Sequence, residues 1–229
     1  MCVSSAVELP HVYIERVFDP PASEEKCVEF RLLYTGELPP HGDAATKQRV
    51  RSYFHPQLKK LWSLHPSLLE YAAAEGSLLA VGRRTDNRDE MAVLGWDGIA
   101  KNWDEFGFNF LPLVQKEVFL ACSLDILFLR KGGQGNLVVN GDIDARLKTL
   151  FDALQKPQQR SECGGAEPTE EEKPFFVLLE NDKLISEIKV TTDQLLDYSG
   201  RFLPNSAVHL VINVKLWPMR QNRMGWVFQ

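Results

Sequence analysis

The apolar positions of the chain follow a period of two in some segments and a helical period in others. Residues 27–35 (CVEFRLLYT) predict a strand that ends at Gly36. Apolar residues in 56–75 recur at helical spacing and are interrupted by Pro66, which predicts two short helices. Residues 142–155 predict one amphipathic helix, since a single apolar stripe runs along them. This stripe consists of Ile143, Leu147, Leu150, Phe151 and Leu154.

The strongest strand signal is the long apolar segment 116–130 (KEVFLACSLDILFLR), which predicts a central strand covered on both faces. Segment 156–174 is rich in Gln, Glu, Gly and Pro, and it predicts a flexible surface insertion. The chain as a whole predicts an α+β fold with a mixed β-sheet and flanking helices, in a single domain over 1–229. Five further strands are predicted, at 77–81, 91–96, 175–179, 184–190 and 207–216.

Composition and the N-terminal sequence bear on location. The chain has 229 residues, of which 44% are hydrophobic and 25% charged, as is usual for globular proteins. Its longest apolar runs, such as 118–124, are far shorter than the roughly 20 residues of a membrane-spanning helix. The N-terminus has no basic region followed by an apolar one, so no secretory signal is expected. A cytoplasmic location is therefore predicted.

Charge is unevenly distributed along the chain. The formal net charge is −5, and segment 161–173 carries five Glu and one Lys, which is −4 of that total. Segment 47–60 (KQRVRSYFHPQLKK), in contrast, is basic without any acidic residue, so it is a candidate contact for nucleic-acid phosphates. A solvated basic helix would show the same pattern. The candidate nucleic-acid-binding residues are Lys47, Arg49, Arg51, Lys59 and Lys60.

Cysteine and histidine spacing disfavours zinc chemistry. The four cysteines are far apart, with no CxxC spacing, and none of the five histidines lies in an HExxH pattern. The cysteines are therefore expected to be reduced thiols that form neither a zinc site nor a disulfide framework.

Two aspartates begin the predicted helix at 142–155. In one interpretation, Asp142 caps the helix, and Asp144 forms an ordinary ion pair with Lys148 four residues later. In the other, Asp142 and Asp144 bind a hard cation such as Mg²⁺, which prefers carboxylate oxygens. A third carboxylate, Asp182, precedes the predicted strand 184–190, although a turn-forming role would also explain it.

In this order and spacing, the acidic residues resemble the RusA family of Holliday junction resolvases. The matching elements are Asp142 and Asp144, then Lys148, then Asp152-Ala153-Leu154, and finally the turn Asn181-Asp182-Lys183 before a strand. The resemblance covers about residues 28–216, with specific motifs in 141–190. It implies a RusA-like fold with its core at about 28–216.

The resemblance also implies a function in DNA repair or recombination. It implies a metal-dependent endodeoxyribonuclease that nicks branched DNA such as Holliday junctions. Asp142, Asp144 and Asp182 would hold Mg²⁺, or Mn²⁺ in its place, and Lys148 would stabilise charge on the phosphate. The resemblance further implies a homodimer, with DNA as the partner and no membrane.

The chain departs from the family pattern at two positions. Ala145 stands where the family usually has Asn after the second aspartate, and Asn181 replaces the first member of an acidic pair. An alternative hypothesis is therefore a catalytically weak RusA-like relative that serves as a nucleic-acid- or protein-binding module. A third hypothesis is an α+β protein whose aspartates only cap helices and form turns.

Overall fold

The structure is a computed structural model that describes residues 28–79, 88–116, 120–131, 142–196 and 206–218. It has an α+β fold with four helices and two sheets in this part of the chain. The helices are α1 (Ala44–Leu64), α2 (Pro66–Leu79), α3 (Arg88–Ala100) and α4 (Asp142–Leu154). The strands are β1 (Val28–Glu37), β2 (Asp104–Glu105), β3 (Phe108–Val114), β4 (Leu120–Arg130), β5 (Phe175–Leu179), β6 (Ile185–Gln194) and β7 (Ala207–Pro218).

The larger sheet has the strand order β1-β7-β4-β6. Strand β7 is antiparallel to both β1 and β4, whereas β6 is parallel to β4, so the sheet is mixed as predicted. One face carries apolar side chains of alternate residues, such as Leu124, Ile126 and Phe128 of β4, which are all buried in the main core. The opposite face is buried at Ala121 and Ser123 but open further along, where Leu127 is 36% exposed, so the prediction that β4 is covered on both faces holds only for its first half.

The smaller sheet, β2-β3-β5, was not predicted as a separate sheet. Its Phe108, Phe110 and Phe175 form a second hydrophobic cluster with Cys163, which belongs to the acidic insertion 156–174. That insertion contains two short 3-10 turns, Arg160–Cys163 and Glu170–Glu172. It is more packed than its composition suggests, because Cys163 is buried against these rings and the buried Lys156 pairs with Glu105 at 2.8 Å.

Helix α1 is longer than predicted and continues through Pro56. It begins after Asp43, whose carboxylate accepts a hydrogen bond from the backbone N–H of Thr46 at 2.8 Å, as in a standard N-cap. It ends at Leu64, and Pro66 then opens α2. The two predicted helices in 56–75 thus exist, and the first extends further toward the N-terminus.

The predicted strands at 77–81 and 91–96 were wrong where the structure describes them. Residues 77–79 end α2 and 91–96 lie inside α3, while residues 80–81 lie outside the described residues. The run MAVLGW in α3 is apolar enough to pass for a strand. It forms a helix because α2 and α3 pack closely at Gly76 and Gly95, where a Cβ on either glycine would lie 1.8 Å from a carbonyl oxygen of the other helix.

Replacing Gly95 by Ala should separate these two helices. The added Cβ would overlap the carbonyl oxygen of Ala72, and such overpacking costs about 1–3 kcal/mol in the free energy of unfolding. Chemical denaturation measures this change. Val93→Ala is the control, because Val93 is 48% exposed on the same helix and its loss should change stability little. Equal stability of Gly95→Ala and wild type would contradict the close packing.

Strand β5 packs against α1 through His55. The ring of this histidine lies near the rings of Phe175 and Phe176, with centroid distances of 4.7 and 5.7 Å, and its Nδ1 accepts the backbone N–H of Phe176 at 2.9 Å. Burial lowers the pKa of His55 below its ordinary value of 6.5. The ring is therefore neutral in the folded protein at neutral pH.

His55 should make stability depend on pH. Its pKa is lower in the folded than in the unfolded chain, so the unfolded chain binds more protons as the pH falls below 6.5, and stability falls with it. In His55→Asn, the amide oxygen replaces Nδ1 as the acceptor and does not titrate. Urea denaturation between pH 5 and 8 should give a weaker loss of stability on the acid side for this variant. Parallel pH curves for the two proteins would contradict this role.

Candidate functional site

The candidate catalytic residues lie at both ends of α4. This helix begins at Asp142, as predicted, although the side chain of Asp142 lies outside the described residues. Asp144 and Lys148 are both exposed, one turn apart. Ile143, Leu147 and Leu150 turn toward the core, so the amphipathic pattern of α4 itself directs the charged residues outward.

Asp144 and Lys148 have no hydrogen bond or ion pair with any residue that the structure describes, including each other. The ordinary i,i+4 ion pair is therefore absent, although the spacing permits it. A carboxylate and an ammonium group, both exposed and unpaired, are left at the start of α4.

The N-terminal half of α4 is fixed at one end of the larger sheet. The guanidinium of Arg146 donates to the carbonyl oxygens of Leu38, at 2.8 Å, and Ser206, at 3.4 Å. Ser206 immediately precedes β7, whose Val208 pairs with Arg130, the last residue of β4. Asp144 is thus held near the Arg130 end of the sheet.

Asp182 lies at the opposite end of α4. It is exposed in a 3-10 turn, Asp182–Leu184, and its backbone N–H donates to Oε1 of Gln155 at 2.9 Å. Gln155 follows the last residue of α4 and is eleven residues after Asp144, which corresponds to about 16 Å along a helix. The strand that follows, β6, begins opposite Cys122, eight residues or about 26 Å along β4 from Arg130.

One chain therefore does not bring Asp144 and Asp182 together around a single small cation. Mg²⁺ takes oxygen ligands at about 2.1 Å, which is far shorter than the separation of the two ends of α4. Among the described side chains, which do not include that of Asp142, no three His, Cys, Asp or Glu groups lie close enough to hold a metal ion.

Gln155 is a positioning residue that the sequence did not single out. Its side chain holds the Asp182 turn, and its backbone carbonyl oxygen accepts a hydrogen bond from Nε of Arg51 at 2.9 Å. In the sequence, only its position just after the Asp152-Ala153-Leu154 motif could have indicated this role.

Arg51, predicted to contact nucleic acid, has a structural role instead. Its side chain is 2% exposed, and it donates to the carbonyl oxygens of Gln155 and Asp152 and to the amide oxygen of Gln48. Burial lowers the pKa of Arg51 to about 10, which still leaves the guanidinium charged at neutral pH. The positive charge lies at the C-terminal end of α4, where it satisfies carbonyl groups and the helix dipole.

Two of the other predicted basic contacts are also engaged within the chain. Lys47 forms an ion pair with Asp152 at 2.7 Å, and Nζ of Lys59 donates to the carbonyl oxygen of Glu171 at 2.8 Å. Arg49 and Lys60 are exposed, and their side chains form no hydrogen bond or ion pair with the rest of the described chain. Two of the five basic candidates thus remain accessible and uncommitted.

Arg49 and Lys60 belong to one exposed row on α1, which we call the α1 stripe: Arg49, Tyr53, Pro56 and Lys60. These residues follow each other at i, i+4, i+7 and i+11, and therefore lie on one side of the helix. Tyr53 is 42% exposed and packs edge-on against Tyr34, with ring centroids 4.9 Å apart. An aromatic ring thus lies between two cations that are about 16 Å apart along the helix.

Searches of family models, curated proteins and solved structures found no match to this chain. The helices in the described ranges include none long and apolar enough to cross a membrane.

Proposed function

We propose that the chain is a Mg²⁺-dependent endodeoxyribonuclease of the RusA type, which nicks branched DNA such as Holliday junctions. The observation that carries this proposal is the start of α4, where Asp144 and Lys148 are exposed, adjacent and unpaired within the described chain. Both groups are therefore accessible to a metal ion and to a phosphate.

In this proposal, Asp142, Asp144 and Asp182 hold Mg²⁺, and Mn²⁺ can replace it. The metal ion supplies polarisation of the scissile phosphate and activation of a water molecule. The ammonium group of Lys148, one turn from Asp144, stabilises the negative charge that develops on the phosphate oxygens.

The proposed enzyme is a homodimer. Asp144 and Asp182 of one chain lie at opposite ends of α4, so an ion bound by both requires Asp182 from a second chain. In a two-fold symmetric dimer, the same exchange occurs twice and forms two equivalent sites. Two sites match a substrate in which two strands are nicked.

The experiment that tests this function is cleavage of a labelled four-way junction beside linear duplex and flap DNA, in Mg²⁺, in Mn²⁺ and in EDTA. We expect paired nicks in the junction with either metal and none in EDTA. Asp144→Asn should cut none of them. Its matched control is Asp97→Asn, which should cut like the wild type, since Asp97 is an exposed carboxylate on α3, far along the chain from α4. The absence of cleavage of every substrate under both metals would contradict the proposal.

A second candidate is a catalytically weak relative that binds nucleic acid or a protein. It is favoured by one observation: within the described ranges, no group of three metal-ligating side chains is assembled in a single chain. Such a module would bind the junction equally well in Mg²⁺ and EDTA and would cut nothing. We retain the cytoplasmic location as part of both candidates.

The α1 stripe gives both candidates a nucleic-acid contact. In the double variant Arg49→Gln/Lys60→Gln, the slope of log Kd against log salt concentration should fall by about 2. Each lost contact between a cationic side chain and a phosphate lowers this slope by about one. Tyr53→Ala should weaken binding of single-stranded ends if a base stacks on the ring. Lys59→Gln is the matched control, because Lys59 already bonds to Glu171. An unchanged salt slope in the double variant would exclude the stripe from binding.

A further inference from the structure

The two edges of the larger sheet differ in how their backbone groups are satisfied. At the β1 edge, Gln57 of α1 covers Leu33: the amide Oε1 accepts the Leu33 N–H at 2.9 Å, and Nε2 donates to the Leu33 carbonyl oxygen at 2.7 Å. Such a cover protects an edge strand against pairing with another chain. The opposite edge, β6, has no equivalent cover in the part of the chain that the structure describes.

Strand β6 presents a row of unpaired backbone groups. Leu195 donates its N–H inward, to the carbonyl oxygen of Arg130, at 2.8 Å. Since backbone groups alternate sides along a strand, even-numbered residues of β6 point outward. The outward groups of Ile188, Val190 and Thr192 have no hydrogen-bond partner among the described residues. No residue of β6 is buried, and Ile188 is 48% exposed.

The charges on β6 fit a second copy of the same strand. If two β6 strands pair antiparallel with Ile188 opposite Ile188, then Glu187 lies opposite Lys189 on both sides of the symmetry axis. Opposite charges at directly facing positions stabilise a strand pair, and like charges destabilise it. Lys189 already forms an ion pair with Asp125 of β4 at 2.9 Å, so the row of alternating charges would continue across the two chains.

Neighbouring registers are less favourable. If the axis shifts by one residue, Glu187 faces Glu187 of the second chain, or Lys189 faces Lys189. If the axis lies at Val190, Glu187 faces Asp193. Each of these registers sets like charges opposite each other. An axis at Thr191 pairs Lys189 with Asp193 but requires the N–H of Gln194 for the ladder. That N–H already donates to Oδ1 of Asp193 at 2.7 Å. The register centred on Ile188 therefore fits best.

We infer that β6 is a homodimer interface, in which two copies of this edge strand pair antiparallel about Ile188 and join their larger sheets into one. The inference goes beyond the proposed function, because it concerns the surface through which two chains pair and not the residues of the metal site. Its test uses neither DNA nor metal, so its outcome is independent of whether the protein cleaves anything.

Sedimentation velocity of the full chain over a range of concentrations tests this interface. The wild type should be a dimer. Glu187→Lys and Lys189→Glu should each raise the dimer dissociation constant by about tenfold, because each places like charges opposite each other twice. The double variant Glu187→Lys/Lys189→Glu restores opposite charges and should return to within about threefold of the wild type.

The control variant is Glu37→Lys, an exposed charge reversal on β1, which should leave the dimer unchanged. Thermal unfolding of every variant checks that the fold is intact, since Lys189→Glu also removes the ion pair with Asp125. A monomeric wild type, single variants that dimerise normally, or a double variant that dissociates more than either single variant would each overturn the inference.

Discussion

Asp144→Asn should abolish metal-dependent cleavage while the protein stays folded. The amide removes the negative charge and one ligand oxygen at the start of α4, and several kcal/mol of transition-state stabilisation correspond to at least about a thousandfold in rate. Because Asp144 is exposed and unpaired within the described chain, the melting temperature should change little. Single-turnover cleavage of the junction, together with thermal unfolding, measures both effects.

The control for Asp144→Asn is Asp152→Asn on the same helix. Asp152 pairs with Lys47, so its loss should lower stability slightly and leave cleavage intact. If Asp144→Asn cleaves as fast as wild type, the start of α4 is not the metal site. If it loses stability instead of cleavage, the aspartate is only a helix-start residue.

Arg51→Met should cause the largest loss of stability of any single change considered for this protein. It leaves the carbonyl oxygens of Asp152 and Gln155 buried without donors at the end of α4. Each such buried acceptor costs about 1–3 kcal/mol, so we expect a loss of about 3–5 kcal/mol in the free energy of unfolding. For a chain of this length, that corresponds to a fall of at least about 6 °C in Tm.

Arg49→Met, two residues earlier, is the matched control. Arg49 is exposed, so its replacement should change stability by less than about 0.5 kcal/mol. Guanidinium denaturation compares the two variants directly. Weaker DNA binding with unchanged stability in Arg51→Met would restore the interpretation that the sequence suggested and contradict the buried role.

Local patterns predicted those parts of the fold that depend on local sequence. Helix α4 was predicted to within one residue because its apolar stripe is complete. Strands β5 and β7 were also predicted correctly, because the apolar pattern of each strand is visible within its own segment. Helix α3 was missed because its packing depends on Gly95 meeting α2, and a contact between two helices is not visible in either segment alone.

The same distinction applies to the candidate site. Asp144 and Lys148 could be recognised together because four residues separate them on one helix. The role of Arg51 could not be read, because its acceptors Asp152 and Gln155 lie about a hundred residues away. The separation of Asp144 from Asp182 likewise depends on the direction of α4 along the sheet, which the sequence does not state.

The measurement that tests the central claim most directly is junction cleavage by a mixture of Asp144→Asn and Asp182→Asn proteins. Each variant alone should be inactive in Mg²⁺. After subunit exchange, half of the dimers are mixed, and each of these contains one site with both aspartates intact, so about a quarter of wild-type sites should return. The mixture should therefore regain Mg²⁺-dependent nicking, mostly on one strand. A mixture as inactive as its components would contradict a metal site formed by Asp144 of one chain and Asp182 of another.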